Sequence, residues 1–421
     1  MSHIWHPYTT FSAIEKGLPP AIVRGAGCYL HDADGNRYFD AISSWWSAAL
    51  GHSHPLIVNA IATQSNALQH SILGNMTHFP AEKLAQALVE LMPDKSRHVH
   101  FASDGASSVE IAMKIALQHA YLQGQPERTQ FASLHQAYHG DTLGTLSLGF
   151  LDHFHEPFAP VRFPGSQLPV PPYDGTQEDC IDAAHTIFLE QGASLAAIVV
   201  EPLCQCAAGM RIYDVAYLQA IYRMAREAGV MVIVDEIATG FLRTGTMFAF
   251  MQADLDPDIV CVGKAVTGGA LPLSAAIVRD EIYNAFSDLG EADGTFYHGH
   301  THAGNPIACA AALAALAEYD KAPLRDNVRR MSELMQTGIK SLADIPGVTA
   351  ARSLGLIGAV TCETTAQAQA AQAIMRDRGY LLRPLGSVIY LMPPLVTART
   401  ELEAMLDALQ ASLQFKASPN R

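Results

Sequence analysis

Two stretches decide how this chain reads: GVMVIVDE at residues 229–236 and DIVCVGK at residues 258–264. Each is apolar through its length and ends near a group that can carry charge, Asp235 in the first and Lys264 in the second. A strand without polar alternation has both faces buried, the condition inside a parallel sheet covered by helices. Outward from these, the same form recurs at Ala196 to Val200, which leads into Glu201, and at Val99 to Ala102. Tyr213 to Ala228 carries helical periodicity between two of the strands. Gly105 opens another helix, whose apolar positions Val109, Ala112, Met113, Ala116 and Leu117 recur at helical spacing. The expectation is an α/β fold with ligands bound at the carboxyl ends of the strands, where Asp235 and Lys264 stand.

Toward the C-terminus the pattern changes. A helix from Leu324 to Leu342 leads to strand candidates at Leu356 to Thr361 and Ser387 to Leu391, then to a last helix from Arg399 to Leu413, a smaller α+β unit. The Pro- and Gly-richer stretch from Phe158 to Gly175 reads as a surface excursion. The units expected are an N-terminal segment at 1–46 packing with the small domain, a large domain at 47–308, and a C-terminal small domain at 309–421.

Composition narrows the function classes. Of 421 residues 49% are hydrophobic and 16% charged, which marks a globular chain rather than a disordered one. With 41 acidic against 27 basic side chains the net charge is −14, so there is no electrostatic basis for holding nucleic acid or an anionic membrane. The longest apolar run, Ile307 to Ala317, falls short of the roughly 18 residues that cross a bilayer. Met1 to Tyr8 lacks the basic-then-apolar order of a signal peptide and is read as mature sequence. Seven scattered cysteines, an odd number, suit reduced thiols in a cytoplasm.

Several familiar sites are excluded. The only GxG, Gly25-Ala26-Gly27, has Leu30 where a dinucleotide fingerprint needs its third glycine. Around Gly263-Lys264, Asp258 and Ala265 occupy the positions where a phosphate loop needs glycine and a hydroxyl. There is no GxSxG. The pair Cys204 and Cys206 and the trio His298, His300 and His302 lack the spacing of a known metal site, and no metal is expected. Asp235 and Lys264 then allow two readings. They are a structural ion pair, or each has its own task, since a desolvated lysine forms Schiff bases and a buried carboxylate can hold a protonated pyridine nitrogen. The second reading needs a phosphate cradle, and the helix opening at Gly105-Ala106-Ser107-Ser108 offers free N–H groups and hydroxyls.

At these residues the sequence resembles the class III aminotransferases of the fold type I pyridoxal phosphate enzymes. VDEIATGFLRTG at 234–245 followed by DIVCVGKAVTGG at 258–269 is similar to the family's cofactor signature. The resemblance implies a large domain with a mostly parallel seven-stranded sheet between helices, a smaller α+β domain, and a homodimer with shared active sites. It implies that Lys264 carries pyridoxal 5'-phosphate, Asp235 pairs with its ring nitrogen, Tyr138 stacks on the ring, and Gly105, Ala106 and Ser107 hold the phosphate. His139 is read as support for these groups. Thr301 matches a threonine that reaches the phosphate of the other subunit, although His300 replaces the proline expected before it.

Four further segments, IWHPYT at 4–9, SSWW at 43–46, YHGDT at 138–142 and LRPLGSVIYLMPP at 382–394, resemble the branch of the family that serves biotin formation. They imply Tyr8, Trp45, Trp46, Gly299, Arg383 and Tyr390 at the substrate, with Arg383 reading a carboxylate. Were Trp45 and Trp46 on a strand, they would point to opposite faces, so that one of them touches substrate. The implied reaction is ping-pong transfer of an amino group to 8-amino-7-oxononanoate with S-adenosylmethionine as donor. Another ω-aminotransferase or aminomutase, or an enzyme taking the amino group from lysine, stays open, as does a non-catalytic scaffold. Leu242 in place of a small residue, Ala106 in place of a hydroxyl, and QCAAG at 205–209 depart from the family's pattern.

Overall fold

The computed structural model describes residues 3–15, 19–149, 151–287 and 294–414. Its centre is a seven-stranded sheet whose order across the sheet is Arg97–Ala102, Ser274–Arg279, Ile259–Val262, Met231–Asp235, Leu195–Val200, Gln130–Leu134 and Gly165–Leu168. All neighbours run parallel except Ser274–Arg279, which is antiparallel to the strands on either side. The parallel strands are buried on both faces, as their unbroken apolar sequence requires. Ile198, Val199, Ile233, Val234 and Val260 have at most 1% of their surface exposed or none. Each such side chain contributes about 1.5–3 kcal/mol relative to an exposed one.

Register sets the site. Val234 lies opposite both Val200 and Val260, so Asp235 and the residues after Val262 emerge together at one edge of the sheet. Gly105–Leu122 returns across the sheet face, its first turn closed by Asp104, whose carboxylate accepts the Ser107 N–H at 2.9 Å. The helix Pro306–Tyr319 is rich in alanine. It packs closely against Pro55–Ala67 and Phe79–Glu90, and ends where the Tyr319 hydroxyl donates to the Ala265 carbonyl at 2.7 Å, beside the lysine turn.

A three-stranded antiparallel sheet, Val348–Leu354, Ile357–Cys362 and Val388–Leu391, lies with helices Ala322–Ser341, Thr365–Asp377 and Arg399–Gln414. The N-terminal strand Arg37–Asp40 pairs in parallel with Tyr380–Leu381, joining the two ends of the chain.

Two expectations change. The stretch Phe158–Gly175 contains the edge strand Gly165–Leu168, which turns Ser166 and Leu168 inward. Four residues are too few to show alternation. Trp45 and Trp46 are not on a strand: Ser43, Ser44, Trp45 and Trp46 form a left-handed turn with φ of 49, 45, 69 and 73°. Non-glycine residues rarely adopt that conformation. Here it is held by the Ser43 hydroxyl donating to the Met392 carbonyl at 2.7 Å and the Ser44 hydroxyl to Asp40 at 2.7 Å.

Candidate active site

Lys264 follows Gly263 at the end of its strand and opens a tight turn with φ of 42°. A lysine in this region stores strain of order 1–3 kcal/mol. The turn lifts its side chain over the sheet edge, with Nζ 4.9 Å from the centre of the Trp46 ring. Burial pulls the ammonium below its ordinary pKa, and the nearby Asp235 charge opposes this only in part.

Asp235 does not form the ion pair with Lys264 that the simpler reading allows. Its Oδ2 lies 2.8 Å from His139 Nδ1, and its Oδ1 accepts the Ile237 N–H at 3.0 Å. With His139 Nδ1–H donating, the imidazole steadies the carboxylate from behind. His139 is buried, at 2% exposure. Glu201, at the end of the adjacent strand, is also buried; it accepts the N–H groups of Tyr138 at 3.0 Å and Cys206 at 3.1 Å. Desolvation pushes its carboxyl up to about 7.

These groups border one cavity of about 410 Å³ that Lys264, Asp235, Tyr138, Gly105, Ala106 and Trp46 share. The start of the helix at Gly105 faces it, and first-turn N–H groups of a helix have no acceptor within the helix. Gly140, at φ 130°, passes so close that a Cβ there would lie 2.4 Å from Ala106 Cβ.

Not every expected residue arrives here. Ser107 is committed to the helix cap, its hydroxyl donating to Asp104 at 2.8 Å. Thr239 and Thr142 border the cavity instead, so they are hydroxyls that the reading of the sequence missed, although both stand inside quoted motifs. Tyr390, 1% exposed, stacks edge-on behind Trp46 at 6.0 Å. Gly299 and Thr301 border a different cavity, with Leu73 and His100.

At the outer rim Arg383 lies over two rings, Trp45 at 4.7 Å and Tyr8 at 5.2 Å, with a long contact to the Tyr8 carbonyl at 3.4 Å. Among the described residues it has no carboxylate partner. The Tyr8 hydroxyl donates to both oxygens of Asp141 at 2.6 and 2.7 Å and sits 3.4 Å from the Tyr138 hydroxyl, which ties the N-terminal segment to the cavity. Burial raises the Tyr8 hydroxyl to about 12, so it stays a donor. Arg243, in the RTG of the signature, is buried and donates to the Pro393 carbonyl at 2.6 Å.

A lysine and a carboxylate at neighbouring strand ends, facing a helix N-terminus across one cavity, define the fold type I class of pyridoxal phosphate enzymes. The sequence model of the class III aminotransferases matches residues 11–413. The adenosylmethionine-8-amino-7-oxononanoate aminotransferase of Synechococcus elongatus is 38% identical over 97% of each chain, and that of Corynebacterium glutamicum 35% over 98% of this chain and 97% of its own. Among solved structures, the enzyme of that name from Methanocaldococcus jannaschii superposes with a TM-score of 0.91 at 34% identity, covering 98% of this chain and 97% of its own. A pyridoxal-phosphate-bound amine transaminase from an uncultivated Pseudomonas species superposes with a TM-score of 0.93 at 29% identity over 98% of both chains. This chain belongs to the class III aminotransferases. Its cavity fits their cofactor: an amine of lowered pKa, an oriented carboxylate and a helix start kept open by Gly140 stand around the same space.

Proposed function

We propose that this enzyme transfers an amino group from S-adenosylmethionine to 8-amino-7-oxononanoate, giving 7,8-diaminononanoate, in a ping-pong cycle on pyridoxal phosphate. The observation that carries the reading is the shared cavity of Lys264 and Asp235 beneath a rim bearing Arg383 and Tyr8, in a chain 34–38% identical over nearly its full length to enzymes named for that reaction. When bound, the cofactor supplies an electron sink that lets a C–H bond next to nitrogen ionise.

The side chains do the rest. Lys264 Nζ, whose pKa burial lowers, would take the α-proton of the donor and relay it within the site. Asp235, held by His139 and the Ile237 N–H, keeps a proton on the ring nitrogen opposite. Tyr138 covers one face of the ring, and the N–H groups of Gly105 and Ala106 bind the phosphate. Arg383 pairs with the substrate carboxylate through its planar fork. Trp45, Trp46 and Tyr8 wall the substrate channel and exclude water.

The active unit in this reading is a homodimer. Ile72, 47% exposed, borders the same cavity as Gly299 and Thr301, and Tyr297, two residues before Gly299, is 75% exposed. A patch of this kind marks an interface. Thr301, outside its own chain's lysine cavity, would then serve the partner's phosphate. Seven free, buried cysteines suit a reducing cytoplasm. Among the described residues no helix is long and apolar enough to cross a membrane.

The similarity to amine transaminases keeps a second reading in play, a broader ω-aminotransferase. Mixing the holoenzyme with S-adenosylmethionine, lysine or a simple ω-amine, one at a time, and following the cofactor spectrum separates them. A full spectral conversion with S-adenosylmethionine alone is the expected result; conversion by the ω-amine but not by S-adenosylmethionine refutes it. Lys264→Ala should lose the borohydride-reducible link to the cofactor and nearly all turnover. A reduced adduct on another lysine would refute the assignment.

A further inference from the structure

Behind the Tyr8–Asp141 contact stands a residue the mechanism above does not use. The short helical turn Asp152–His155 brings Phe154 edge-on to Tyr8 at 5.4 Å and lays the His155 ring nearly parallel to that of Tyr138, with centroids 6.2 Å apart and planes at 18°. His155 is 3% exposed. The Leu151 N–H donates to its Nδ1 at 3.2 Å. In the neutral ring the proton therefore sits on Nε2, and this edge faces Asp141 Oδ1 at 3.8 Å, an electrostatic contact longer than a hydrogen bond. The Leu151 N–H thereby fixes which edge of the ring is turned toward Asp141. Asp141 itself is 56% exposed; the Tyr8 hydroxyl grips it from one side and the imidazole edge backs it from the other.

We propose that His155 is a positioning residue for the donor side of the active site: its Nε2–H edge orients Asp141, whose carboxylate holds the Tyr8 hydroxyl, while its ring face fixes Tyr138 from behind. Two walls of the substrate channel, Tyr8 and Tyr138, are thereby set by a single imidazole that touches neither substrate nor cofactor. This rests on the proposed function for the identity of the donor, and on the contacts alone for the hold on Tyr8.

Two variants separate the ring face from the polar edge. His155→Phe keeps a flat ring behind Tyr138 and removes the N–H; His155→Gln restores an N–H directed at Asp141. In stopped-flow half-reactions with S-adenosylmethionine, His155→Phe should raise the apparent dissociation constant roughly fivefold, with the limiting rate within about twofold of wild type, and His155→Gln should recover most of the loss. A readout independent of the cofactor is limited chymotrypsin digestion of the apoenzyme. Release of Tyr8 should speed cleavage in the N-terminal segment, where Trp5 and Phe11 are 85% and 76% exposed, in His155→Phe but not in His155→Gln. Unchanged donor affinity and unchanged cleavage in His155→Phe overturn the proposal. So does an equal fall in melting temperature and limiting rate in both variants, which would mark a purely structural histidine. If the wild type itself gives no spectral response to S-adenosylmethionine, the donor assignment has failed, and the cleavage arm still decides the role of His155.

Discussion

Arg383 shows how much one side chain's surroundings decide. A guanidinium without a carboxylate partner among the described residues, seated between the Trp45 and Tyr8 rings, is held by cation–π attraction and can take a bidentate anion. In the proposed ping-pong cycle the same pocket would hold donor and acceptor in turn, so one arginine would serve both. Arg383→Ala should weaken binding of S-adenosylmethionine and 8-amino-7-oxononanoate by about tenfold or more, as expected for a charged hydrogen bond of roughly 1.5–3 kcal/mol, while the resting cofactor spectrum stays the same. Amines without a carboxylate supply the control. If their half-reaction slows as much as that of S-adenosylmethionine, Arg383 does not read a carboxylate.

At the scale of elements, the site depends on how closely two segments approach. The start of the helix Gly105–Leu122 can present its N–H groups only because Gly140 passes against Ala106 without a side chain, in a conformation, φ 130°, that other residues avoid. Gly140→Ala puts a methyl group 2.4 Å from Ala106 Cβ and must move one segment or the other. The helix itself, capped by Asp104, should survive, so circular dichroism should barely change. Titration of the apoenzyme with pyridoxal phosphate should show affinity reduced by about tenfold, the counterpart of about 1.4 kcal/mol out of the 1–3 kcal/mol that such backbone strain costs. Unchanged affinity would show that the phosphate is held elsewhere.

For the whole molecule the issue is whether one chain makes a complete site. Thr301 and Lys264 border separate cavities within the chain, and exposed apolar side chains lie near the Thr301 loop. If sites are shared across a two-fold axis, mixing Lys264→Ala with Thr301→Ala subunits puts both defects in one site of the heterodimer and leaves the other intact. Random reassociation should then restore about a quarter of wild-type turnover, since half the dimers carry one good site. Activity equal to the mean of the two parents, or a fully active monomer in sedimentation, would refute sharing.

Read without coordinates, the chain already revealed its parallel core. Val230 to Val234 and Ile259 to Val262 are apolar at every position, and burial on both faces permits that, so the strands and the placement of Asp235 and Lys264 at their ends were legible locally. So was the helix at Gly105. The antiparallel strand Ser274–Arg279 was not legible, since direction is set by which neighbours a strand meets, and these lie far away in sequence. Nor was the left-handed turn at Ser43–Trp46, which depends on Met392 and Asp40 to hold it. Tyr390 behind Trp46, Ser107 spent on the helix cap, Thr301 in a separate cavity and His155 behind Tyr138 follow the same rule. A residue type and its spacing define what chemistry is available, because they act through nearest neighbours and periodicity. Which groups meet, which are turned away, and which partner steadies each one depend on contacts between segments as far as 375 positions apart, and only the folded chain brings those together.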